Sequence, residues 1–299
     1  MAMTATLRRP ATLHLGAHRT GTTRLQRLLD QNRPRIEALG VLVLTPPRAG
    51  KRDARTIREA VRATQRAADA KTPFRRFLRR RTARAAFQEL VAVRIDARLL
   101  ISEENLLGPT VTPDGLAFYP KADRYLSGIE RLWGVEAQAI QLTIRSYASF
   151  LVSSYAIRAA YAEAMPPFDA IRDRMMRFEK GWPELVATIR ACFPTAALTV
   201  RRFETSTIDA QLTALFGDDH GLDTTLAEEV VNAAPTTQAI AAAQALPNRV
   251  REEIDALIAR HAGGDRFDPL SADEKAALEA RYQADCARLA ATQGIDFVA

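Results

Sequence analysis

Leu13-His14-Leu15-Gly16-Ala17-His18-Arg19-Thr20-Gly21-Thr22-Thr23-Arg24-Leu25 runs from a short apolar strand into a glycine-bounded loop and straight on into an amphipathic helix. Backbone N–H groups left exposed at such a helix start, added to the positive end of the helix dipole, make a cradle for a cluster of anionic oxygens. Gly16 and Gly21 allow torsions and close approaches that a β-carbon would obstruct. The reading without a ligand is a glycine and threonine turn that merely joins strand to helix.

The spacing is near that of the nucleotide loop G-x-x-x-x-G-K-[ST], but Thr22 stands where the lysine belongs and the cation, Arg19, has moved inside the loop. A strand, then x-[KR]-[ST]-G-T-T, then a helix resembles the 5′-phosphosulfate loop of sulfotransferases that use 3′-phosphoadenosine 5′-phosphosulfate (PAPS). Those enzymes usually carry lysine where this chain has Arg19, and arginine keeps the charge while adding a planar fork of donors. The resemblance implies that His18, Arg19, Thr20, Gly21, Thr22 and Thr23 bind the cofactor, and that Arg19 also acts in catalysis on the leaving phosphate.

A second constellation lies downstream. Ile140, Leu142 and Ile144 alternate with Gln141 and Thr143 as a strand, Arg145 ends it, and the chain turns helical from Ser146 through Tyr155. Sulfotransferases resemble this segment too, with an arginine at the strand end and a serine eight positions on, here Arg145 and Ser153, gripping the 3′-phosphate. Arginine offers paired charge-assisted hydrogen bonds to phosphate, and a helical hydroxyl adds a neutral donor. Alternatively, Arg145 pairs at the surface and Ser153 and Ser154 are small packing residues.

Between the two, Arg98 to Ser102 is a buried-type strand that breaks into Glu103-Glu104-Asn105. Ligands of open parallel sheets sit beyond the carboxyl ends of strands, so the pair of carboxylates is placed for chemistry. By the resemblance, Glu103 aligns with the general base and Glu104 is the runner-up; adjacent strand residues face opposite ways, and only one can look into the site. Neighbouring carboxylates disfavour double ionisation, which raises one pKa toward the range a base needs. A solvated turn in which one glutamate caps a helix is the plainer alternative.

The 299 residues, 47% hydrophobic, suit a single α/β domain over 11–299, with a mainly parallel sheet flanked by helices. A basic helical insertion at 51–90 and C-terminal helices over 235–299 complete it, Pro235 to His261 and Ser271 to Thr292 reading as one helix each. Asn232 to Thr237 reads as a loop. No apolar run approaches the ~18–20 residues of a membrane span, and the start lacks the apolar core of a secretory signal, so a cytoplasmic location is expected. Cys192 and Cys286 have neither metal nor redox spacing, His14 reads as a packed strand residue, and no metal site is expected.

The net charge of +7 owes much to eleven arginines between Lys51 and Arg84. Nucleic acid, a membrane surface or an anionic substrate are partners for such a stretch, whereas the lack of a nucleic-acid motif favours a solvated helical insertion, or part of a lid over the acceptor. The expected activity is transfer of a sulfuryl group from PAPS to the hydroxyl or amine of a small-molecule or carbohydrate acceptor. The rivals are a kinase with a variant loop, and a non-catalytic nucleotide- or polyanion-binding protein.

Overall fold

The computed structural model describes residues 8–46, 56–110, 117–225 and 234–299. Six strands form one all-parallel sheet in the order β2-β3-β1-β4-β5-β6: β1 Arg9–His14, β2 Val41–Leu44, β3 Arg98–Ser102, β4 Val135–Ile144, β5 Ala197–Arg202 and β6 Ile295–Val298. From β1 the chain goes out to the β2 edge, returns through β3 and crosses to β4 on the other side. The switch in direction therefore falls at β1, and its carboxyl end opens into the crevice where such sheets bind ligands.

Strand alternation sorts the core into two layers. Leu42, Leu44, Leu99, Ile101, Leu13, Ile140, Leu142 and Leu198 face one side, where they meet α3 (Ile57–Ala68), α4 (Pro73–Val91), α7 (Tyr147–Tyr161), α9 (Trp182–Cys192) and α13 (Ala272–Ala290). Val41, Val43 and Leu100 face the other, against Leu25 and Leu29 of α1 (Thr22–Gln31), Ile36 of α2 (Arg33–Ala38) and Leu212 of α10 (Ile208–Phe216). Leu25, wholly buried, follows from the apolar face of α1, and truncating it to alanine should cost about 2–5 kcal/mol.

The middle of the second layer is polar: His14, Ser102, Gln141 and Thr143 are all buried beneath it. His14 Nδ1 lies 2.8 Å from Ser102 Oγ, and Gln26 of α1 donates to the Ser102 carbonyl at 3.1 Å. The alternation of Gln141 and Thr143 with apolar neighbours marks a second buried face here rather than a solvated one.

The connection after β3 is a short 3-10 turn, Glu104–Leu107, followed later by α5 (Ala122–Leu126) and α6 (Ile129–Trp133). The basic insertion is the antiparallel pair α3 and α4; its residues 51–55, with Arg52 and Arg55, lie outside the described residues, as does the start of the loop read at Asn232 to Thr237. Thr56 and Thr72 cap the two helices through their side chains. Ser271 and Glu274 form a capping box at the start of α13.

One sequence reading needs correction. The single helix expected from Pro235 to His261 is two, α11 (Thr237–Gln244) and α12 (Arg251–Arg260), because Pro247 removes a donor and forbids the helix between them. Asn32, whose side chain turns back to the Leu28 carbonyl at 2.9 Å, separates α1 from α2. The chain also closes on β6, which pairs with β5 as the far edge and has too few residues to show a pattern.

Candidate functional site

The cradle is built as the local sequence dictates. Beyond β1 the chain keeps its pairing with β4, Leu15 and Ala17 donating to the Gln141 and Thr143 carbonyls at 2.9 and 3.0 Å, and then folds over the start of α1. Gly16 has φ +36, and a β-carbon there would lie 2.7 Å from Thr22 Oγ1. Gly21, at φ +77, is the N-cap of α1 and supplies no side-chain acceptor. The N–H groups of Thr20, Gly21 and Thr22 find no acceptor among the described residues, and the buried Thr22 hydroxyl has no partner either. A helix start of this kind is short of negative charge.

Arg19 has φ 69, a left-handed conformation that costs a side-chain-bearing residue about 1–2 kcal/mol. Tertiary contacts hold it there. The Arg145 guanidinium donates to the Arg19 carbonyl at 2.8 Å, and Arg19 Nε donates to Ser153 Oγ at 2.7 Å. Arg145 in turn lies 4.8 Å above the Phe203 ring, and its own carbonyl accepts from the Trp182 indole at 2.8 Å. Burial and the neighbouring Arg145 charge bring Arg19 down to about 10, and burial likewise lowers Arg145. Two half-buried cations pressed together in this way are relieved by an anion.

Arg19, Arg145 and Ser153, read from separate motifs, thus meet directly. The resemblance assigns Arg19 to one end of the nucleotide and Arg145 with Ser153 to the other. In this structure Arg19 reaches across to Ser153 and all three form one cluster.

On the other side of the loop, the Glu103 N–H pairs with the His14 carbonyl at 3.2 Å, which sets both glutamates beside the cradle. Glu103 is fully buried. Its Oε1 accepts from the Asn105 N–H at 3.0 Å and from the Asn105 side-chain amide, while Oε2 has no hydrogen bond and lies 3.7 Å from Arg58 Nε. Burial first, and Glu104 second, raise its pKa above the ordinary carboxylate range. Glu104 is partly exposed and accepts from Gln26 of α1 at 3.1 Å. Glu103 is thus sealed from solvent, which reaches Glu104.

His18 links the two sides. Its Nε2 is 3.5 Å from Asn105 Oδ1 and its Nδ1 is 3.1 Å from the Tyr119 hydroxyl, which also accepts from the His18 N–H at 2.7 Å. Donation from Nε2 to the amide oxygen leaves Nδ1 to accept from Tyr119, so the imidazole is neutral, and burial lowers its pKa to match. A continuous path runs Glu103–Asn105–His18–Tyr119.

Asn105, Tyr119 and Phe203 are the residues the motifs did not single out. Tyr119 and Phe203 carry no local signal, whereas Asn105 was visible as the third polar residue after β3. From the basic insertion, α3 brings Arg58 to Glu103 and Gln65 to the Asn105 carbonyl at 2.6 Å. Among the described residues no group of three His, Cys, Asp or Glu is placed to hold a metal, and no helix is long and apolar enough to cross a membrane. In comparisons with known proteins, no family model, no curated protein and no solved structure matches this chain.

Proposed function

We propose that this chain is a sulfotransferase that binds PAPS at the β1–α1 cradle and transfers its sulfuryl group to an acceptor hydroxyl or amine. The observation that carries the reading is the convergence of Arg19, Arg145 and Ser153 on a loop in which the Thr20, Gly21 and Thr22 N–H groups and the Thr22 hydroxyl find no acceptor among the described residues. The donor set fits an anion with two charged ends: backbone N–H groups and the Thr22 and Thr23 hydroxyls for a 5′-phosphosulfate, Arg145 and Ser153 for a 3′-phosphate. When bound, the nucleotide would supply a sulfuryl group activated as a mixed anhydride with phosphate.

The protein's own part is orientation and charge. Donors fixed before the reaction stabilise negative charge where it grows, and Arg19, held in the loop by Arg145 and Ser153, is a cation of the cradle itself. Binding energy at Arg145 aligns groups at the far end of the ligand. Glu103, with a raised pKa and one oxygen lacking a donor, takes the proton from the acceptor oxygen or nitrogen, and Arg58, 3.7 Å from Oε2, favours the carboxylate form that accepts it. Glu104 is the second candidate for that role, on the exposed side.

Calorimetric titration with 3′-phosphoadenosine 5′-phosphate, without Mg²⁺, tests the reading. Micromolar binding or tighter, on the order of −8 kcal/mol, is expected, with ATP far weaker for want of a 3′-phosphate. Equal affinities, or binding only with Mg²⁺, would favour a kinase and refute the proposal.

A further inference from the structure

The first half of α4 buries no side chain. Every residue from Lys71 to Thr82 is exposed; Arg76 and Arg79 donate to the Ala70 and Arg66 carbonyls at 3.1 and 2.9 Å, and the buried anchors come further on, Ala83, Phe87 and Val91, with Phe87 stacked on Trp133 at 4.3 Å. No acidic residue occurs between Lys71 and Gln88. On this half Phe74, Phe77 and Leu78 are 71%, 59% and 44% exposed, and their i, i+3, i+4 spacing puts them on one face. Beside that face a groove of about 690 Å³ separates α4 from α5 and α6, and its lining among the described residues includes Arg76, Arg80, Arg81, Arg84, Arg124 and Arg131 and no carboxylate. Asp69, at the end of α3, is engaged by Lys121 and Arg124 at 3.5 and 3.2 Å. α3 separates this groove from the Glu103–Asn105 turn, so the two sites are distinct.

We propose that this face docks on the surface of an anionic phospholipid bilayer, with Phe74, Phe77 and Leu78 entering the headgroup boundary and the groove arginines holding lipid phosphates. Charge complementarity selects the occupant. A soluble polyanion would satisfy the guanidinium groups but leave two phenylalanines and a leucine in water, whereas a bilayer interface supplies phosphate and acyl chains together. Arginine stems also lie readily along apolar surface while their heads stay at phosphate level. The inference is independent of the proposed chemistry at the cradle.

Co-sedimentation of the full chain with phosphatidylcholine vesicles, with and without about a third of phosphatidylglycerol, is the test. Binding is expected only to the anionic vesicles and is expected to fall with salt. The double variant Phe74→Ser/Phe77→Ser should lower the partition about tenfold or more, and Arg80→Glu/Arg81→Glu should abolish it. All four positions are exposed, so circular dichroism and nucleotide titration should match the parent and show that neither folding nor the cradle has changed. No partition onto anionic vesicles overturns the proposal. Serine variants that partition like the parent, with heparin competing as strongly for both, would overturn it in favour of a soluble polyanion.

Discussion

Arg145→Ala separates two functions that one guanidinium performs. Arg145 holds the loop by donating to the Arg19 carbonyl at 2.8 Å, and in the proposed complex it also grips the 3′-phosphate. The first contact is an ordinary hydrogen bond to a neutral acceptor, worth about 0.5–1.5 kcal/mol, and its loss weakens any adenine 5′-nucleotide. The second is charge-assisted, worth about 1.5–3 kcal/mol, and matters only to a ligand with a 3′-phosphate. Adenosine 5′-monophosphate should therefore lose about 1 kcal/mol on Arg145→Ala, roughly fivefold. 3′-Phosphoadenosine 5′-phosphate should lose about 3–4 kcal/mol, several hundredfold, since 1.4 kcal/mol is a factor of ten. Isothermal titration of both ligands against parent and variant at one ionic strength gives the coupling as the difference of the differences. Arg145→Lys should restore only part of it, because the point charge remains and the fork is lost. A coupling within about 0.5 kcal/mol of zero would show that Arg145 only shapes the loop, and would remove the 3′-phosphate from the argument.

The other expectations concern chemistry and stability. With an acceptor in hand, Glu103→Gln should leave nucleotide affinity unchanged and lower turnover about 100-fold; if Glu104→Gln does this instead, the base is the exposed carboxylate. Because folding raises the Glu103 pKa, its contribution to stability is full below the unfolded value and is lost as pH rises through the folded one. Glu103→Gln should then match or exceed the parent in urea unfolding at pH 8. His14 behaves oppositely: burial brings it to about 4, so stability present above pH 6.5 is lost as pH falls toward 4, by up to about 3 kcal/mol. Urea titrations of His14→Asn across that window should slope less than the parent, and an unchanged slope would mean His14 titrates normally. Gly16→Ala puts a methyl 2.7 Å from Thr22 Oγ1 at a positive φ, which should cost about 1–3 kcal/mol in thermal unfolding and abolish nucleotide binding. Arg19→Ala should depress turnover more than affinity, with Arg19→Lys retaining much of both, and wild-type turnover in the alanine variant would take Arg19 out of the mechanism.

The strand–loop–helix of Leu13 to Leu25, the strands at β2 to β5 and the caps of α13 were legible because each depends on neighbours in the chain: alternation, a glycine that takes positive φ, a serine three residues before a glutamate. A mainly parallel sheet was read from strands separated by helical stretches, the spacing that parallel crossovers need, and the structure makes every pairing parallel. β6 was not legible, because four residues carry no periodicity and only the open edge of β5 makes them a strand. The break at Pro247 was visible but was outweighed by the alanine-rich pattern around it.

Within the site, composition and spacing named Arg19, Arg145, Ser153, Glu103 and Glu104 one motif at a time. That Arg19 meets Ser153 across 134 residues, and that His18 reaches Asn105 and Tyr119, depends on β1 lying between β3 and β4. The division of labour between the glutamates is tertiary as well: neighbouring carboxylates with the same intrinsic acidity differ because Glu103 loses its water to Asn105 and α3, while Glu104 keeps its own. Strand order and desolvation are sums over the whole core, and no local window of sequence contains them.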